Sequence, residues 1–99
     1  MARAIENSLV LGLYGAGGEQ AGFARFVTDY ATFAWLCDMF IDSAHRGRGL
    51  GSFLVRTSVG HPAVRDLRQV LATAPERTIY RREGFGSLAH PERWQERGR

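Results

Sequence analysis

The stretch Phe33-Ala34-Trp35-Leu36-Cys37-Asp38-Met39-Phe40-Ile41, followed after Asp42-Ser43-Ala44 by His45-Arg46-Gly47-Arg48-Gly49-Leu50-Gly51, decides the fold. The first nine residues are almost continuously apolar, which suits a central strand covered on both faces. A hydrophobic run that ends in a glycine-rich, arginine-bearing turn is a phosphate-binding arrangement. Glycines let the backbone approach an anion closely, and the N–H groups at the start of a following helix point toward it.

Upstream of this stretch, Leu9 to Tyr14 reads as a short strand closed by Gly15-Ala16-Gly17-Gly18, a strong turn signal. Ala21 to Asp29, with Phe23 and Val27 on one face, forms a hairpin with it, and Tyr30 to Thr32 is a short connection. Residues 2 to 7 read as the end of a helix. Downstream, Leu50, Phe53, Leu54 and Val55 follow helical spacing until Ser58 to Pro62 ends the helix. Asp66 to Ala72, carrying Leu67, Val70 and Leu71, is a strand. A second helix is expected from Pro75 to Glu83, with proline in its first turn and Gly84 at its C-terminal cap. Phe85 to Ala89 is expected to be a last short strand, and Pro91 to Arg99 a polar tail carrying Trp94. An antiparallel meander thus leads into strand–helix–strand–helix–strand. The expected class is α/β (α+β in some schemes) with a mixed sheet, in a single domain spanning residues 1–99.

Composition narrows the function. With 44% hydrophobic residues the chain can build a core, so global disorder is not expected. No apolar run approaches the roughly 20 residues that span a bilayer, and Asp29 and Asp38 break the longest one. The N-terminal residues lack the apolar core of a secretory signal, and the expected location is the cytoplasm. The single cysteine, Cys37, excludes an internal disulfide and a cysteine-based zinc cluster, and no metal is expected. All thirteen basic residues are arginines, and the net charge is +3. That balance suits an anionic ligand, but the arginines are spread along the chain, so nucleic acid is not the expected partner.

The glycine loop excludes two of its readings. A nucleoside-triphosphate loop needs Gly-x-x-x-x-Gly-Lys-Ser/Thr, and the chain has no lysine. A dinucleotide fingerprint needs Gly-x-Gly-x-x-Gly at the head of a doubly wound sheet. Here Gly47, Gly49 and Gly51 are spaced two apart, behind a meander.

Arg46-Gly47-Arg48-Gly49-Leu50-Gly51 matches the Arg/Gln-x-x-Gly-x-Gly/Ala signature of the GNAT superfamily of N-acetyltransferases. Met39 to Arg46 resembles that family's strand end and its approach to the loop. Tyr80-Arg81-Arg82-Glu83-Gly84-Phe85 resembles its Tyr-x-x-x-Gly-Phe segment. Gly22-Phe23-Ala24-Arg25, Thr28-Asp29-Tyr30, His61-Pro62 and Pro91-Glu92-Arg93-Trp94 resemble a small bacterial subgroup. The resemblance covers roughly residues 5 to 95.

The resemblance implies an acetyl-coenzyme A-dependent enzyme that acetylates a primary amine of unspecified identity. The alternative is a shortened coenzyme A-binding protein with little or no activity. The pyrophosphate of the donor would lie on the N–H groups of Arg46, Gly47, Arg48, Gly49, Leu50 and Gly51, favoured by the helix dipole. The pantetheine arm would pair with the backbone of Met39, Phe40 and Ile41, with a hydroxyl from Thr73 in reach. Tyr80 matches the tyrosine proposed to protonate the departing thiolate. Two positions depart from the pattern: many members carry asparagine where Thr73 stands and a small residue where Glu76 stands.

No general base stands out; Asp38, Asp29 and Glu19 are all candidates. His61 is assigned to capping or the surface, His45 to shaping the loop or meeting phosphate, and Cys37 to the core. Trp35 and Trp94 read as packing residues, with an acceptor-pocket wall as their other use. The resemblance also implies that the family's first strand and following helices are missing here, so the edge at Leu9 to Tyr14 is open to pairing with a second copy.

Overall fold

The computed structural model describes residues 7–74 and 77–98, so the helix end expected over residues 2 to 7 lies almost wholly outside the described residues. One four-stranded sheet, in the order β1-β2-β3-β4, carries the fold. Its strands are β1 (Ser8–Tyr14), β2 (Gln20–Thr28), β3 (Phe33–Ile41) and β4 (Arg68–Leu71). The first three form an antiparallel meander, and β4 runs parallel to β3 after a crossover through the helix α1 (Leu50–Val59). The sheet is therefore mixed, as its sequence order requires.

Each turn has an identifiable cause. Between β1 and β2, Gly18 takes φ +87°, which favours glycine, and its N–H donates to the Gly15 carbonyl at 3.0 Å. Between β2 and β3 the Asp29 carboxylate accepts from the N–H groups of Ala31 (2.9 Å) and Thr32 (2.8 Å) and from the Thr32 hydroxyl (2.6 Å). These bonds hold the Asp29 carboxyl well below the usual carboxylate range, the Thr32 hydroxyl contributing most. They also hold the tight turn in which Tyr30 sits at φ 62°.

The core lies on one face of the sheet. Ala24, Phe26, Ala34 and Leu36 are buried beneath Leu54 and Val55 of α1, together with Val64 and Tyr80. After the helix, His61 Nδ1 accepts from Ala63 N–H at 3.0 Å, the capping role expected of it. The Gln69 amide donates to the carbonyls of Val59 and Val64, both at 3.0 Å, and so ties β4 to the helix end.

Four expectations are corrected. First, β3 is interior to the sheet but covered on only one face among the described residues: Trp35 is 46% and Phe40 45% exposed. Strand alternation, shifted by one residue at Cys37, sends both side chains away from the helix. Second, Phe53 is exposed and Ser58 takes the buried position, because the helix turns its Leu54–Val55–Ser58 stripe toward the sheet. Third, of the second helix only a 3-10 turn, Arg81–Glu83, forms among the described residues, with Gly84 beyond it at φ +93°. Pro75 and Glu76 lie outside the described residues. A nine-residue segment with adjacent β-branched Thr78 and Ile79 has too little intrinsic helicity to hold itself. Fourth, Phe85 to Ala89 is not a strand. Gly86 and Ser87 interrupt its apolar pattern, and Phe85 packs edge-on against Tyr80 instead, centroids 6.2 Å apart at 82°.

Candidate active site

The site begins where β3 outruns its parallel neighbour. Pairing with β4 covers only Phe33–Leu36 against Arg68–Leu71, while β3 continues to Ile41. The break coincides with a β-bulge. Arg25 faces Asp38 and Phe26 faces Leu36, so Cys37 is the extra residue. A bulge bends its strand and increases the local twist, which opens a gap beside β4.

Main-chain direction in the gap follows from ladder alternation. Asp42 N–H donates to the Ala21 carbonyl at 2.7 Å, which makes that pair hydrogen-bonded. The pairs Gly22–Ile41 and Ala24–Met39 are then the non-hydrogen-bonded ones. The main-chain groups of Met39 and Ile41 therefore turn toward the opening, and those of Phe40 turn toward β2. Of Met39, Phe40 and Ile41, the first and last present their main chain to the opening and Phe40 does not. Independent packing agrees: a Cβ on Gly22 would sit 2.5 Å from the Phe40 carbonyl oxygen, on the β2 side.

The glycine loop wraps the end of β3. Asp42 accepts from Ala44 N–H at 3.1 Å to start a 3-10 turn, Ser43–His45, and Arg46 Nε donates back to the Ile41 carbonyl at 3.1 Å. His45 lies between Glu19 (3.6 Å) and Asp42 (3.5 Å), consistent with shaping the loop. The glycines are there for different reasons. Gly47 (φ +82°) and Gly49 (φ +74°) have conformations that L side chains rarely adopt, although a Cβ would meet nothing within 4 Å at either. Gly51 has neither constraint: a Cβ there would make ordinary contacts at 3.9 Å with Ile79 Cδ1 and Met39 Cε. Gly49 caps α1 without any side-chain hydrogen bond, so the first-turn amides of Leu50, Gly51 and Ser52 face the loop uncapped. Arg48 is exposed beside them.

Tyr80 closes the gap from the far side. It is 8% exposed, and its hydroxyl donates to Met39 Sδ at 3.8 Å. A thioether is a weak acceptor, so most of that phenol's hydrogen-bonding capacity is unspent. The strand end (Met39), the helix start (Gly51) and the Tyr80 segment thus converge, as the contacts of Gly51 also record. Thr73 lies with Tyr80 in the wall of a cavity of about 670 Å³ between β4 and residues 84–89.

The other titratable candidates are accounted for. Asp38 is ion-paired to Arg25, Nε to Oδ2 2.6 Å, and Arg25 also donates to Ser8 Oγ at 3.0 Å. The bond to Asp38 raises the Arg25 guanidinium further above its ordinary value. Burial pushes the Cys37 thiol up, which keeps it protonated and a poor nucleophile. Asp29 is fully engaged in its turn, at the opposite end of β3 from Tyr80. Trp94 packs beneath Arg68, guanidinium 4.9 Å from the ring centroid. Among the described residues no group of three His, Cys, Asp or Glu could hold a metal ion, and no helix is long and apolar enough to cross a membrane. The sequence reading missed Arg68, Arg77 and Arg81, which line the 670 Å³ cavity; nothing in the sequence brings Arg68 of β4 together with the pair that flanks Tyr80.

A GNAT acetyltransferase domain model matches residues 6–86. A proposed GNAT-family acetyltransferase from Xanthomonas campestris is similar in structure, with a TM-score of 0.89 and 41% identity, over 98% of this chain and 68% of that one. A GNAT-family acetyltransferase from Streptococcus pneumoniae superimposes with a TM-score of 0.73 at 22% identity, over 97% of this chain and 74% of that one. A predicted acetyltransferase from Clostridium acetobutylicum, solved with acetyl-CoA, gives a TM-score of 0.68 at 14% identity, over 94% of this chain and 65% of that one. The last two likenesses are of fold alone. A search of curated proteins returned no match. The fold and the family model together define an acyltransferase domain. The chain belongs to the GNAT acetyltransferase family, and it spans about two thirds of the length of its Xanthomonas relative.

Proposed function

We propose that the protein transfers an acetyl group from acetyl-coenzyme A to a primary amine. The observation that carries this reading is the convergence of Met39, Gly51 and Tyr80 at the opening of β3, with a buried phenol that the protein itself satisfies only weakly. The solved acetyl-CoA complex of the Clostridium neighbour supports the choice of donor.

In this reading the donor pyrophosphate lies on the N–H groups of Arg46 to Gly51, where the uncapped helix start favours negative charge. The pantetheine amides hydrogen-bond the outward main chain of Met39 and Ile41, as a short added strand would. The Ile41 carbonyl, which already accepts from Arg46 Nε, has a second lone pair for that bond. Thr73 offers a hydroxyl from the β4 side. The amine lone pair attacks the thioester carbonyl carbon, a C–N bond forms and the C–S bond breaks. Tyr80 gives its hydroxyl proton to the departing thiolate and recovers one from solvent. The amine proton leaves to water.

Replacing Tyr80 by Phe keeps the buried ring and removes only the hydroxyl. Thiol release from acetyl-coenzyme A with a panel of amines should fall about 100-fold or more in kcat, while coenzyme A affinity by calorimetry stays within twofold. Equal turnover in Tyr80→Phe removes the tyrosine from the mechanism. Coenzyme A binding by the wild type without thiol release identifies the alternative, a binding protein that does not transfer.

A further inference from the structure

The cavity of about 670 Å³ runs along the free side of β4 and has Tyr80 and Thr73 in its wall. Arg68, Arg77 and Arg81 line the same cavity, and no aspartate or glutamate does among the described residues. Neither Arg77 nor Arg81 has an ion pair among the described residues. Arg68 is stacked over Trp94, which holds its guanidinium in place. Three cations around one opening, with no protein counter-charge among the described residues, form a concave positive field that concentrates anions. The volume falls in the range of small-molecule sites, and planar guanidinium groups suit bidentate contact with a carboxylate or phosphate.

From this we infer that the acceptor is a small amine that also carries an anionic group, its carboxylate or phosphate held by Arg77 and Arg81 and its amine directed to Tyr80. This rests on the acetyltransferase reading and adds the substrate class. Tyr80 stands between the two halves of the site, touching Met39 on one side and the cavity on the other. The anion-binding arginines flank it in sequence, Arg81 directly and Arg77 three residues earlier. A net anionic or zwitterionic acceptor is therefore drawn in by the same segment that supplies the proton donor.

The test uses the protein saturated with coenzyme A and titrated by NMR with ω-amino carboxylates of two to six carbons. Each is compared with its own amide, and aminoalkyl phosphonates of matched length are run in parallel. The best-fitting acid or phosphonate should bind at least tenfold tighter than the neutral partner, and the difference should shrink as salt is raised. Which anion gains more distinguishes carboxylate from phosphate recognition. The double variant Arg77→Gln/Arg81→Gln should abolish the preference, and Arg77→Lys/Arg81→Lys should retain part of it. Acids that bind no better than their amides overturn the inference, and so does failure of every acid and phosphonate to bind. Coenzyme A affinity measured on the same samples reports separately on the donor reading.

Discussion

The two halves of β3 differ in what holds them. From Phe33 to Leu36 the strand has β2 on one side and β4 on the other, and Ala34 and Leu36 are buried under α1. From Met39 to Ile41 it keeps β2 alone, and the freed side turns its main chain into a gap faced by the glycine loop and Tyr80. Cys37, the bulged residue, separates them. The paired half is a stability element. The open half has no neighbouring strand on its freed side among the described residues, and there the Ile41 carbonyl accepts from Arg46 Nε instead. One strand thus has a paired half and an open half, and the register break between Arg25 and Phe26 divides the two.

That division can be broken most forcefully at the paired half. Phe26 is fully buried opposite Leu36, and Phe26→Ala should cost about 3–5 kcal/mol, read as a lower urea midpoint. For a 99-residue domain that is enough to populate the unfolded state under native conditions. At the open half the balance reverses. Gly49→Ala forces a Cβ onto φ +74° and should cost about 1–2 kcal/mol, with a larger proportional loss in coenzyme A affinity as the loop reshapes. A variant that keeps full affinity separates the loop from the ligand.

Gly51→Ala sharpens the contrast. The added Cβ makes only ordinary contacts, so the variant should gain up to about 1 kcal/mol from helix propensity. The signature accepts alanine at this position, and affinity should stay within twofold.

The smallest effect concerns the turn that starts β3. Asp29 has a folded-state pKa below that of the unfolded chain, so its contribution is present at neutral pH. It is lost as pH falls from the ordinary carboxylate value, about 4, toward the lower folded one. Asp29→Asn should therefore flatten the acid limb of a stability–pH profile and leave coenzyme A binding unchanged. An unaltered acid limb shows that the turn bonds contribute nothing measurable.

Periodicity alone delivers the three meander strands and α1 with their boundaries nearly in place, because each is long, strongly patterned and bounded by glycine or aspartate turns. It fails after Leu71. The segments 75–83 and 85–89 are short and weakly patterned, so local preference does not decide their conformation and tertiary contacts do. The Phe85–Tyr80 edge contact is one such choice. It fails also for Trp35 and Phe40: an apolar run shows which residues prefer burial, not which face receives a helix.

The resemblance of Arg46 to Gly51 and of Tyr80 to Phe85 to the GNAT pattern is legible in the sequence by itself, because it rests on the identity and spacing of residues close together in the chain. Four matters required the tertiary structure. These are that β3 parts from β4 at Cys37, that the main chain of Met39 and Ile41 but not of Phe40 faces the gap, that Asp38 is taken by Arg25, and that Arg68 of β4 lines one cavity with Arg77 and Arg81. The reason is the same in each case. Register, ion pairing and cavity walls are relations between residues distant in the chain, and only packing sets them.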